Sequence, residues 1–128
     1  MGNLVKHEMD DESVHWTEHD LQVAVVQRLR RLDILFAGDQ NGLPTSKRQA
    51  ALAKMAGMTA GEPDIRIYLP GGKIVFVEMK TIRGSVSAAQ LQRHRDLAEL
   101  GHFVYVVKEP TPLKAQDVVE SIVLYHNM

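Results

Sequence analysis

Between Gly61 and Lys80 two short alternating runs, Ile65–Leu69 and Lys73–Met79, are separated only by Pro70-Gly71-Gly72. Alternation on both sides of a Pro-Gly-Gly break predicts a β-hairpin. With Gly71-Gly72 as a two-residue turn, Pro70 faces Lys73, Ile67 faces Phe76 and Ile65 faces Glu78. Asp64 then lies within one residue of Glu78, where side chains approach to roughly 5–8 Å. A loop one residue longer puts Asp64 directly opposite Glu78. Period-two geometry places Ile74, Phe76, Glu78 and Lys80 on one strand face, so an apolar face ends in a carboxylate and an ammonium with a second carboxylate alongside.

Two carboxylates this close repel, and one takes up a proton unless a cation lies between them. A hard divalent ion is the natural neutraliser, because Mg²⁺ and Mn²⁺ prefer oxygen ligands. Lys80 beside such an ion could orient or help deprotonate an attacking water. The bland alternative is a solvated hairpin edge with ordinary charges.

At 128 residues the chain is expected to form one domain. It lacks cysteine, which excludes disulfides, zinc-thiolate sites and thiol nucleophiles. No apolar run approaches a membrane span and the N-terminus carries no signal-peptide core, so a cytoplasmic protein is expected, in the host cytoplasm if phage-encoded. Residues 1–20 hold six acids and one base, and the remainder carries a net +4. A mildly basic body is compatible with nucleic acid.

The first fifteen residues are polar, acidic and aperiodic and read as a flexible tail preceding a single domain over 16–128, with its core at about 17–108. His15, Glu18 and His19 do not form a zinc-protease motif, because the Glu precedes the second His instead of following the first. Thr17 caps a first helix whose Leu21, Val25, Leu29 and Leu32 form the buried stripe, with Glu18 at its upstream end and Arg28, Arg30 and Arg31 mostly outside. A short strand at Ile34–Ala37 and a turn-rich loop follow. A second helix runs from Pro44 or Thr45 to Ala56, bearing Lys47, Arg48 and Lys54 and closed by Gly57. After the hairpin, Ser87 caps a third helix, Ala88–Leu100, with Leu91, His94, Leu97 and Ala98 on its apolar stripe and Gln90 one turn before His94. His94 reads as a packed helix residue more readily than as a ligand or base. Phe103–Val107 is continuously apolar, as for a strand in mid-sheet, and a last helix covers about 114–125. The second hairpin strand, the third helix and Phe103–Val107 form a crossover, which makes those strands parallel. The fold class is α/β, a mixed central sheet flanked by helices.

Glu18, the Gly61-Glu62-Pro63-Asp64 element, Glu78-Met79-Lys80, the Ser87-Ala88-Ala89-Gln90 helix start and Gly101 before a Phe-Val-Tyr-Val-Val strand resemble the VRR-NUC domain. That domain is a branch of the PD-(D/E)xK nuclease superfamily. The five elements occur in order over Thr17 to Val107. Departures are modest: Met79 stands where Leu or Val is common, and Gly61 and Pro63 flank a Glu where small or apolar residues are usual. The resemblance implies a restriction-endonuclease-like α-β-β-β-α-β core. It implies Asp64 and Glu78 as metal-binding carboxylates, with the Met79 main-chain oxygen as a further ligand and Glu18 ligating directly or through water. Lys80 would position the water and stabilise developing charge, and Gln90 would orient water or phosphate. Candidate DNA contacts are Asn41, Lys47, Arg48, Lys54 and Arg83.

The implied reaction is Mg²⁺- or Mn²⁺-assisted hydrolysis of DNA phosphodiesters, leaving a 5′-phosphate and a 3′-hydroxyl. Standalone domains of this type are similar to homodimeric Holliday-junction resolvases, so a four-way junction is the expected substrate and a second copy the expected partner. The first and last helices are candidate dimer faces. The alternatives are a less selective nuclease for flaps, single strands or duplex, a non-catalytic DNA-binding module, and a small α/β protein with an incidental acidic hairpin.

Overall fold

The computed structural model describes residues 5–39 and 46–127. Helix α1 (Glu18–Arg31) starts on a capping box: the Thr17 hydroxyl accepts from the Asp20 N–H, and the Asp20 carboxylate accepts from the Thr17 N–H. Leu21, Val25 and Leu29 are fully buried, while Leu32 lies past the last turn and is 41% exposed. Asp33 adopts a left-handed conformation to reverse the chain. Strand β1 (Phe36–Gly38) starts two residues later than the strand predicted at 34–37, with the Leu35 carbonyl already accepting from the Tyr68 N–H.

Ser46 caps α2 (Lys47–Met55), which has no buried residue. The start predicted at Pro44 or Thr45 lies outside the described residues. Strands β2 (Ile65–Leu69) and β3 (Lys73–Lys80) form the expected hairpin, but not with the two-residue turn. Leu69 pairs with Lys73, and Pro70–Gly72 forms a 3-10 turn with Gly71 and Gly72 both at positive φ. Pro70 has no N–H to give the ladder, so it joins the turn instead of a strand. Every pair shifts by one: Ile65 faces Val77, and Asp64 comes opposite Glu78.

Ser87 and Gln90 close a second capping box at the start of α3 (Ala88–Glu99). Its His94 and Leu97 are buried, whereas Leu91 and Ala98 are exposed. Strand β4 (Phe103–Lys108) pairs parallel to β3, as the crossover through α3 requires. The sheet order β1-β2-β3-β4 puts β4 at an edge, not in mid-sheet, with Phe103 and Val106 exposed. Within its apolar run only Val107 is fully buried, so the run marks a strand without marking its place in the sheet. Thr111 caps α4 (Pro112–His126), whose Pro112 occupies the first turn, earlier than the start expected near 114.

Helices α1 and α4 pack on one another and on the sheet face formed by Ile65, Ile67, Val75, Val77, Met79 and Val107. The opposite face carries Glu78 and Lys80 and meets α3. Because α4 lies along α1, Arg28 is not on the outside: its guanidinium is held by Asp117, Glu120 and Gln116. Within the first fifteen residues, read from composition as a flexible tail, the Glu8–Asp10 turn packs on α4. Met9 is buried there, Thr111 donates to Asp10, and Lys114 pairs with Glu12.

Candidate active site

Sheet register, a glycine and a helix cap assemble the site. Gly61 sits at positive φ, and a Cβ there would collide with the Ala89 carbonyl. The segment leading into β2 therefore rests directly on the first turn of α3, a contact that only glycine permits. This brings the α3 start beside the Asp64–Glu78 pair.

Asp64 is half-buried and accepts from the Met79 N–H at 2.7 Å. Glu78 is 1% exposed. Its Oε2 accepts from Gln90 Nε2 at 3.2 Å, while Gln90 Oε1 accepts from the Ser87 N–H at 2.9 Å. The helix cap thus fixes the Gln90 amide with its NH₂ toward Glu78. Lys80, almost fully buried, lies 3.5 Å from Glu18 Oε1. Glu18 therefore pairs with the lysine. Among the described residues no three His, Cys, Asp or Glu side chains converge as a preformed metal cage.

Glu78 Oε1 is buried and has no hydrogen-bond partner, and neither has His94 Nε2, 3.5 Å away. Burial, followed by the Lys80 charge, holds the His94 imidazole below its usual range. A neutral ring at that distance does not offset a carboxylate. Burial, and after it the hydrogen bond and charge of Asp64, push the Glu78 carboxyl up to about 9. In the protein alone Glu78 therefore holds a proton at neutral pH. An orphaned carboxylate oxygen beside a second carboxylate is a donor set that fits a hard divalent cation, which would take the place of that proton.

Of the candidate DNA contacts, Lys47, Arg48 and Lys54 are exposed on α2, and Arg83 lines a small polar cleft with His15 and Trp16. Asn41 lies outside the described residues. Sequence reasoning passed over an ion triad of Glu62, Arg66 and Arg93 next to the carboxylate pair. The one available signal was Arg66 sharing the strand face of Asp64.

No family model matches this sequence. A phage protein named "Putative nuclease p44", from Acyrthosiphon pisum secondary endosymbiont phage 1, is 45% identical over 47 residues, 37% of this chain. The match spans half of that relative's length. Two solved structures share the architecture. One, titled VRR_NUC domain protein, has a TM-score of 0.66 at 22% identity over 87% of this chain and 91% of its own. The other, titled VRR_NUC domain, has a TM-score of 0.57 at 24% identity over 80% and 94%. The resemblance read from the sequence and the architecture of the structure meet: this chain has the fold of a VRR-NUC domain.

Proposed function

We propose that this chain is a divalent-metal-dependent DNA nuclease, most specifically a homodimeric endonuclease for four-way junctions. The observation that carries the reading is the Asp64–Glu78 pair, with its buried, unpartnered Glu78 oxygen, beside the buried Lys80. The phage relative named as a nuclease and the VRR-NUC fold support the same class.

Asp64 and Glu78, with the Met79 main-chain oxygen, would hold the ion. Bound Mg²⁺ or Mn²⁺ supplies polarisation of the phosphodiester and a lowered pKa for a water nucleophile. The Met79 N–H anchors Asp64, and Gln90 anchors Glu78, so both carboxylates are set before substrate arrives. The Lys80 ammonium, steadied by Glu18, stabilises charge developing on the phosphate and orients the attacking water. Glu18 acts through Lys80 or through water.

The dimer and the junction go together, since symmetric cuts in a junction need two-fold symmetry in the enzyme. The test is cleavage, in Mg²⁺, of end-labelled four-way junction, 5′-flap, linear duplex and single strand. Paired nicks confined to the junction are expected. Equal cutting of all four overturns the junction assignment, and cutting of none overturns the nuclease.

A further inference from the structure

Glu62, two residues before Asp64, is gripped by arginines from two different elements. Arg93 of α3 donates through Nε to Glu62 Oε1 at 2.7 Å, and Arg66 Nη1 of β2 lies 3.5 Å from Oε2. The acid is inside and the bases are outside: the Glu62 side chain is 13% exposed, each arginine 34%. Two guanidinium groups against one carboxylate leave a net positive charge on the solvent side. Arg93 engages Glu62 through Nε alone, and among the described residues neither of its Nη nitrogens has a partner.

The triad adjoins the carboxylate pair without belonging to it. Arg66 is the next residue after Asp64 on the same face of β2. Arg93 lies one helical turn after Gln90, whose amide reaches Glu78. A strand with one phosphate at Asp64 and Glu78 has its neighbouring phosphates within reach of this pair.

We propose that Arg66 and Arg93, preset by Glu62, bind a backbone phosphate of the substrate strand next to the scissile one. Guanidinium forks suit phosphate oxygens, and Glu62 holds the forks in place beforehand, which lowers the ordering cost at binding. A bracket tying α3 to β2 needs only Glu62 and Arg93. Arg66, at the longer distance of 3.5 Å, adds a charge such a bracket does not use. The inference rests on the nuclease reading above.

The test is anisotropy of a fluorescent four-way junction titrated with the full chain in Ca²⁺ at several salt concentrations, alongside steady-state cleavage of the same junction in Mg²⁺. Arg66→Gln and Arg93→Gln should each weaken binding several-fold, flatten the slope of log K against log salt by about 0.9, and raise KM more than they lower kcat. Arg93→Lys and Arg66→Lys should restore the slope, a rescue that packing alone does not provide. Slopes equal to that of the parent in both Gln variants, whatever their melting temperatures, overturn the phosphate assignment. If Arg93→Gln fails to fold, Arg66→Gln decides alone. A parent protein that neither binds nor cuts DNA overturns the nuclease reading itself, whereas a parent that cuts normally beside indifferent arginine variants overturns only this inference.

Discussion

Glu78 concentrates the chemistry of the molecule in one carboxyl. Its folded pKa is raised from 4.5 to about 9, so the folded state holds a proton that the unfolded chain releases. By linkage this group's contribution to stability is fully present below pH 4.5 and is lost as pH rises toward about 9. Glu78→Gln, which keeps shape but cannot ionise, should therefore melt above the parent at pH 8 and close to it at pH 4.5. Each kcal/mol corresponds to roughly 3–6 °C in a domain of this size, so differential scanning calorimetry at the two pH values resolves the difference. A parent and variant with equal melting points at pH 8 would remove the strain assigned to Glu78. Lys80 carries the second residue-scale prediction. Lys80→Ala should lower cleavage by about 10²-fold or more while DNA binding persists, because the ammonium acts on charge that develops during the reaction. Single-turnover rates beside equilibrium binding measure that split.

At the scale of elements, the site depends on α3 lying hard against the turn before β2. Gly61→Ala places a Cβ into the Ala89 carbonyl and forces an L side chain into positive φ. The cost should be about 1–3 kcal/mol or more, read by urea denaturation, with cleavage falling further than stability because Gln90 moves away from Glu78. An unchanged midpoint would show that the α3 start gives way easily. Much of this was legible in the chain. Thr17 and Ser87 announce helix starts through caps, helical spacing marks Leu21, Val25 and Leu29, and alternation marks the hairpin. What was not legible depends on neighbours distant in sequence. The ladder shifts by one because Pro70 cannot donate to it, Arg28 is drawn inward by acids of α4, and β4 is an edge strand although its residues read as central. Glu62 and Arg93 are 31 residues apart, with no sequence pattern linking them.

At the scale of the whole molecule, two helices expected as candidate dimer faces differ in availability. Helix α1 is largely used up against α4 and the sheet, whereas α4 still presents exposed Leu124 and Tyr125 beside an open cleft lined by Tyr105, Val118 and Ile122. We place the proposed dimer contact on α4. Light scattering at micromolar concentration should give a dimer mass for the parent and a monomer mass for a Leu124→Glu, Tyr125→Glu double variant. A parent that is monomeric both free and with junction DNA contradicts the dimer. No helix among the described residues is long and apolar enough to cross a membrane. Met9, Asp10 and Glu12 of the acidic N-terminal stretch are held against α4 and its cap.

The most direct measurement is a calorimetric titration with Mn²⁺ at pH 7, run in two buffers of different ionisation enthalpy. If Asp64 and Glu78 share an ion that takes the place of the Glu78 proton, binding should saturate and release about one proton per site, as ligand deprotonation requires. Asp64→Asn should abolish it. No saturable binding, or binding that Asp64→Asn leaves intact, would contradict the account.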